Sequence, residues 1–305
     1  MSPRRGTYSI VAHDASSGET GVAVQSHWFS VGSIVTWGRA RVGVVATQSI
    51  AEPAYGPRLL DRLAAGEEPR AALRRELAAD ELARFRQVAV ADAGGRVAAH
   101  TGDGCISHAG HREGEGFSVQ ANMMGSPEVW PAMAEGFATA SGPLARRLLS
   151  ALDAAQAEGG DVRGSQSAAV LVVPAEGEPW QRSVELRVED SAGPLAELRW
   201  LLDLNDAYGL ADRGDELAGE GRHEEAARLY AAAAEAAPES VELGFWAGLG
   251  LAAGGDLQAG AHRVGAAIES GGEGWRRLLA RLEPEIAPAA EGVRTELGVD
   301  PQRDA

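Results

Sequence analysis

The sequence predicts an α+β chain in two parts, a sandwich of two sheets with helices outside it and then a small all-helical module. Three observations predict this. The apolar pattern runs in blocks of four strands, two helices, three strands, two helices and two strands, not in the alternation of a doubly wound sheet. No Gly-x-Gly-x-x-Gly follows the first strand, which removes the usual dinucleotide fingerprint. Beyond the stretch Asp190-Ser191-Ala192-Gly193-Pro194 the strands stop and helical spacing takes over.

Residues 7–12 are β-prone, residues 14–18 supply a turn, and residues 21–26 return as the second arm of a hairpin. Residues 33–37 and 42–47 read as a second strand pair. From residue 54 to about residue 86, Leu59, Leu60 and Leu63, then Ala72, Leu73 and Leu77, recur at helical spacing, and Gly66 and Pro69 divide the stretch into two helices. Residues 87–92, 96–100 and 117–122 are strands. Two more helices fill residues 127–157 around Ser141-Gly142-Pro143. Residues 167–173 form a strand of the fully buried type, and residues 183–188 alternate as a half-exposed one.

In the second part, residues 207–237 read as a helix pair divided at Glu220-Gly221-Arg222. A looser unit follows through Phe245, Trp246, Gly248, Leu251, Gly254-Gly255-Asp256 and Ala261. The offset of about 34 residues matches a tetratricopeptide repeat. The predicted domains are 1–192, 193–287 and a flexible tail over 288–305.

Composition narrows the function classes. The 305 residues carry a net charge of −16, and residues 193–305 hold 21 acidic residues against 10 arginines. Such a surface repels phosphate backbones, which argues against nucleic acid and anionic membranes as partners. No apolar run reaches the roughly 18–20 residues that cross a bilayer. Met1-Ser2-Pro3-Arg4-Arg5 is not followed by the apolar stretch of a signal peptide. Cys105 is the single cysteine, so no internal disulfide forms and a cytoplasmic location is expected. All 28 basic residues are arginine, which removes Schiff-base chemistry, a phosphate-loop lysine and a Ser-Lys or Thr-Lys pair.

Several strings carry chemistry. Thr7 follows Gly6 at the start of the first strand. A threonine at a mature N-terminus brings its own base, because a free α-amine titrates near about 7.7–8.0. Asp161, Arg163 and Ser165 lie in a Gly-rich loop before a buried strand, where they are placed to orient a nucleophile or bind a carboxylate. Polar side chains gather at strand ends in Gln25-Ser26-His27-Trp28-Phe29, Ala46-Thr47-Gln48-Ser49 and Gln120-Ala121-Asn122, as in a pocket that hydrogen-bonds a polar substrate. Backbone N–H groups around Gln48 and Ser49 suit an oxyanion hole. Two rival chemistries remain open: a metal held by His100, His108 and His111 with Asp103 nearby, and a Cys105 nucleophile beside His108.

Taken together, these strings resemble the bacterial and archaeal domain-of-unknown-function 1028 family. The resemblance rests on Thr7-Tyr8-Ser9-Ile10-Val11-Ala12, Trp28-Phe29-Ser30-Val31-Gly32, Ala46-Thr47-Gln48, Ala54-Tyr55-Gly56, His100-Thr101-Gly102, Ala109-Gly110-His111, Gln120-Ala121-Asn122 and the run from Gly159 to Ala168. It covers residues 7–190. It implies a four-layer αββα sandwich similar to the N-terminal-nucleophile (Ntn) hydrolases, and amide-bond hydrolysis as the activity. Members begin with Thr directly after the initiator Met, whereas here Thr7 stands behind residues 1–6. The nucleophile reading therefore requires scission of Gly6–Thr7 or a chain that starts at Thr7, since Met removal exposes Ser2. Proteasome-like relatives also use a lysine that this chain lacks, leaving Arg163 or His27 to supply the positive field.

The expected site is then Thr7 as nucleophile, with Asp161, Arg163 and Ser165 orienting it. His27, Gln48, Ser49 and Asn122 contact a small amide, lactam or peptide-like substrate, with no metal or cofactor. A protein partner for the helical repeat and a homodimer are expected, because Phe245 and Trp246 leave an apolar face to cover. The rival readings are a non-catalytic small-molecule-binding module and a His-site metal hydrolase.

Overall fold

A computed structural model describes residues 6–304. The readings made on Met1 to Arg5, including exposure of Ser2, lie outside the described residues. Contacts divide the chain into a unit ending at Trp200 and a second unit from Leu201.

The first unit is built on two antiparallel sheets. One is six-stranded, in the order β10 (Val184–Val188), β9 (Ser167–Val173), β2 (Thr20–Ser26), β1 (Thr7–His13), β8 (Phe117–Asn122) and β7 (Gly110–Gly114). The other runs β3 (Thr36–Arg39), β4 (Gly43–Ser49), β5 (Arg86–Asp92) and β6 (Val97–Thr101). The sheets pack face to face around Val11, Val22, Val24, Val44, Ala46, Ala89, Ala91 and Leu171. Helices α2 (Tyr55–Ala64) and α3 (Pro69–Ala78) cover the outer face of the four-stranded sheet, where Leu59, Leu60, Leu63 and Leu73 meet Val45, Val88 and Val90. Helices α4 (Val129–Thr139) and α5 (Leu144–Ala157) cover the six-stranded sheet, with Leu144, Leu148 and Leu152 fully buried. The layers are helix, sheet, sheet, helix. This is the mixed, two-part α+β architecture that the block order of the sequence predicts.

Strand alternation decides what enters the space between the sheets. Along β1, Tyr8, Ile10 and Ala12 take one face and Thr7, Ser9 and Val11 the other. The inter-sheet face therefore passes from apolar at Val11 to polar at Ser9 and Thr7, both buried. On β4 the same passage runs from Val44 and Ala46 to Gln48. The polar end of the sandwich is the end that holds Thr7.

Two elements differ from expectation. Residues 33–37 were expected to be all strand, but α1 (Gly32–Val35) forms a helical turn before β3. Tertiary packing overrides the β-branched run here. Val31 and Val35, one turn apart, both enter the core, and the Val31 N–H donates to Ser167 Oγ at 3.0 Å. The short edge strand β7 has no apolar alternation to betray it, since His111 and Arg112 are exposed.

The division after Trp200 falls within α6 (Pro194–Gly219). That helix is followed by α7 (His223–Ala236), α8 (Val241–Ala253), α9 (Leu257–Gly271), α10 (Glu273–Arg281) and α11 (Ala290–Leu297). Helices α8 and α9 touch through glycine: a Cβ on Gly260 would lie 2.5 Å from the Gly248 carbonyl oxygen. Phe245, expected to seek cover from a second copy, is buried inside its own unit, edge-on to Trp246 and beside Trp275. The stretch after residue 288, expected to fray, contains α11, whose Ala290 and Val293 are buried in the same cluster. Tyr230 occupies a slot between α6 and α8. A Cβ on Gly214 or Gly250 would stand 2.7 or 2.2 Å from its ring. Glycine inside a helix costs about 1 kcal/mol relative to alanine, so this slot is held against local preference.

One glycine of the first unit is fixed by its backbone. Gly43 has φ 143°, and a Cβ there would lie 2.2 Å from the Ala91 carbonyl oxygen across the ladder. Gly43→Ala is expected to destabilise the first unit by about 3 kcal/mol, read as a lowered urea midpoint with an unchanged m-value.

Candidate functional site

Strand pairing places Thr7 between Ser26 of β2 and Asn122 of β8. The Thr7 hydroxyl lies 2.6 Å from the Gly6 carbonyl oxygen and 3.1 Å from Ser26 Oγ. The Ser26 hydroxyl itself donates to the Gly6 carbonyl in a short contact. A third donor arrives from the loop after α5, where Arg163 Nη2 reaches the same oxygen at 3.0 Å. Three donors therefore surround the carbonyl of the peptide bond that precedes Thr7.

Asp161 organises that loop. Its side chain is fully buried, whereas Arg163 keeps 27 % of its side chain exposed. The carboxylate accepts from Arg163 Nη2 at 2.7 Å, from Arg163 Nε and the Arg163 backbone N–H at 3.0 Å each, and from the His27 backbone N–H at 3.1 Å. A buried carboxylate is tolerable only with such a full set of donors. The guanidinium's planar fork lets Arg163 serve both Asp161 and Gly6. Gly6 lies directly against this pair: a Cβ there would sit 2.6 Å from Asp161 Oδ2. Tyr8, beside Thr7, donates to Gln156 Oε1 at 2.9 Å, and burial first, then the negative charge of Asp161, push its phenol upward, so it stays a neutral donor.

Behind Thr7, a network of buried amides joins the two sheets. Gln48 Nε2 lies 3.2 Å from the Thr7 carbonyl oxygen, 2.8 Å from Gln87 Oε1 and 3.4 Å from the Gln120 carbonyl oxygen. Asn122 Nδ2 donates to Gln87 Oε1 at 3.0 Å and lies 3.4 Å from the Thr7 carbonyl oxygen. Ser9 donates to Gln48 Oε1 and accepts from Gln120 Nε2, both at 2.6 Å. Gln87 Nε2 bonds Thr101 Oγ1 and the Ala121 carbonyl at 2.9 Å, and Thr101 Oγ1 meets His111 Nδ1 at 2.9 Å. Desolvation of its covered side pushes the His111 imidazole downward.

The residues expected from the sequence divide into two groups. Thr7, Asp161, Arg163 and the His27 backbone come together around Gly6. Gln48 and Asn122, expected to contact substrate, point into the network and hold the Thr7 carbonyl. Ser165 follows in the Asp161 loop and is partly exposed. Ser49, left-handed at φ 69°, ends β4 and hydrogen-bonds the Cys105 thiol. Burial pushes that thiol up against the pull of the Ser49 side chain and the Gly102 N–H, which disfavours a thiolate nucleophile. The histidines proposed for a metal have separate partners, His100 Nε2 at the Ala83 carbonyl and His108 Nδ1 at the Met124 carbonyl. Among the described residues no three His, Cys, Asp or Glu side chains converge as a ligand set.

Two contributors escaped the sequence reading. Ser26 was seen only as part of a polar string, although its pairing with Thr7 follows once the hairpin register is set. Gln87, the hub of the network, was read only as the start of a strand. The available signal was that it opens a run of Val and Ala as an isolated amide.

Comparison with known proteins places the chain in one family. Residues 7–198 match the family model described as "Family of unknown function (DUF1028)". Protein SPO2555 from Silicibacter pomeroyi, a DUF1028 protein with a crystal structure, is 31% identical, with a TM-score of 0.59 over 65% of this chain and 88% of that one. Among curated proteins none matches.

Replacing Gln87 by leucine would leave Gln48 and Asn122 without their shared acceptor. Gln87→Leu is expected to cost about 2–4 kcal/mol, measured by chemical denaturation, with slowed hydrogen exchange lost first at the Thr7 end of β1.

Proposed function

The chain belongs to the DUF1028 family, and from that premise we propose that it is an amidohydrolase of the N-terminal-nucleophile type, whose nucleophile is the Thr7 hydroxyl freed by scission of Gly6–Thr7. The observation that carries the reading is the set of donors on the Gly6 carbonyl, Thr7 Oγ1, Ser26 Oγ and Arg163 Nη2. An ordinary strand start needs one hydrogen bond there. Beside the hydroxyl that is to attack, two donors, one of them cationic, remain to hold that oxygen when it carries negative charge.

The reaction balances as follows. Thr7 Oγ attacks the Gly6 carbonyl carbon and loses its proton. The oxyanion is held by Ser26 and Arg163. Collapse breaks the Gly6–Thr7 C–N bond, the proton goes to the departing nitrogen, and an ester links Gly6 to Thr7 Oγ. Water hydrolyses the ester, releasing the Gly6 carboxylate and leaving Thr7 with a free amine. In the uncleaved chain Thr7 is 1 % exposed, which suits a site that opens only when the preceding residues leave.

The same groups then serve a substrate amide. The Thr7 amine takes the hydroxyl proton, Thr7 Oγ attacks the carbonyl, and the substrate oxygen occupies the position vacated by the Gly6 oxygen, between Ser26 and Arg163. The leaving amine takes the proton, and a water completes hydrolysis. Asp161 fixes Arg163, while Gln48 and Asn122 fix Thr7 through its carbonyl. In this reading the sandwich is Ntn-hydrolase-like, the substrate is a small amide, lactam or peptide-like molecule, and the helical part is a tetratricopeptide-like module that recruits a protein. The enzyme works in the cytoplasm without a cofactor.

Intact-mass spectrometry with N-terminal sequencing tests the proposal. The wild-type chain is expected to begin at Thr7, Thr7→Ser to be cleaved, and Thr7→Ala and Arg163→Ala to stay whole. Cleaved protein is expected to release ammonia or amine from a panel of small amides, and Thr7→Ala to release none. A folded wild-type chain that retains residue 6 sinks the mechanism and leaves the binding-module reading in its place.

A further inference from the structure

Within the C-terminal helical unit a groove of about 560 Å3 opens among α6, α7, α8 and residues 285–288. Its walls combine two chemistries. Tyr208, Tyr230 and Trp246 supply aromatic surface, and Asp212, Asp215, Glu242 and Glu285 supply carboxylates. No arginine lines it, and its one imidazole is that of His223, although the chain carries 28 arginines.

The aromatic part is built. The Tyr230 ring is seated against Gly214 and Gly250, positions where any side chain would displace it. Its hydroxyl donates to Asp215 Oδ1 at 2.6 Å, and the Tyr208 hydroxyl donates to Glu242 Oε2 at 3.1 Å. Each tyrosine therefore fixes a carboxylate at the groove with a neutral donor, leaving its charge uncancelled. None of the four carboxylates is in an ion pair with an arginine among the described residues. Aromatic surface beside uncancelled carboxylates is the environment that attracts an organic cation.

The groove is open, which decides the source of that cation. Asp212, Glu242 and Glu285 are exposed, and Ile286 on the same wall is 67 % exposed. A small closed ligand would leave this apolar edge in water, whereas a chain lying along the groove would cover it. We propose that this groove binds a basic segment of a partner polypeptide, with an arginine or lysine head group among the rings and carboxylates and a neighbouring apolar side chain against Ile286. This inference rests on the reading of the helical part as a protein-recruiting module and is independent of the amidohydrolase reading.

The test uses the full-length protein and the fluorescein-labelled peptide Gly-Leu-Arg-Arg-Leu-Gly, followed by fluorescence anisotropy. A second peptide carries Glu in place of both Arg, and N-acetyl-arginine amide serves as a competitor. Saturable binding of the arginine peptide is expected, weakened by salt, with none for the glutamate peptide. The double variant Asp212→Asn, Glu285→Gln removes two charges that have no internal partner, so its circular dichroism should be unchanged while affinity falls by about fivefold or more. Equal binding of both peptides, no binding of either, or unaltered affinity in the double variant would overturn the proposal. Competition by N-acetyl-arginine amide as strong as by unlabelled peptide would also overturn it, in favour of a small-cation site.

Discussion

The amides of Gln48, Gln87, Gln120 and Asn122, sealed between two sheets, are the constraint on which the rest of the first unit depends. Each is buried, so each donor and acceptor lost there costs the desolvation of the group left behind. They can be satisfied together only if both sheets hold their register. On β5 the inward positions are Gln87, Ala89 and Ala91, and the outward ones Val88 and Val90. A slip of one residue would put Val88 among the amides and Gln87 under the helices. The network is thus a register lock as well as a mount for Thr7, and the position of the nucleophile candidate is over-determined from both sheets.

Much of this was legible in the sequence because it depends on alternation. The β1–β2 hairpin, the buried run of β9 and the helix pairs all follow from apolar spacing. The α1 turn was not legible, because Val31 and Val35 choose a helical turn only when the core between the sheets is there to receive them. Strand β7 was not legible because an edge strand with exposed His111 and Arg112 has no pattern of its own. At the site, the sequence pointed to Thr7, Asp161 and Arg163 by residue type and neighbourhood. It could not distinguish side chains that face the Gly6 carbonyl from those that face the interior. Gln48 and Asn122 sit at strand ends like pocket residues, and only the pairing of two sheets turns them inward.

The absence of lysine changes how positive charge is delivered. A lysine beside Thr7 would have been a point charge on a mobile stem and an alternative base. Arg163 is neither. Its fork is committed on one side to Asp161 and extends on the other to the Gly6 oxygen, so it orients and polarises without exchanging protons. In the proposed turnover of a substrate, proton transfer then falls to a group that the intact chain lacks and scission would create, the α-amine of residue 7. Under that proposal, cationic field and general base are separated in space and in the order in which they come into being.

Gly6 sets a narrow gate for whatever precedes the first strand. Its α-carbon rests so closely on the Asp161 carboxylate that a methyl group would be 2.6 Å from an oxygen. A leader that ends in any residue other than glycine would therefore press a side chain onto that carboxylate. For anyone attaching a tag or a reporter ahead of this protein, residue 6 is the critical junction: a single methyl there would unseat the Asp161–Arg163 pair.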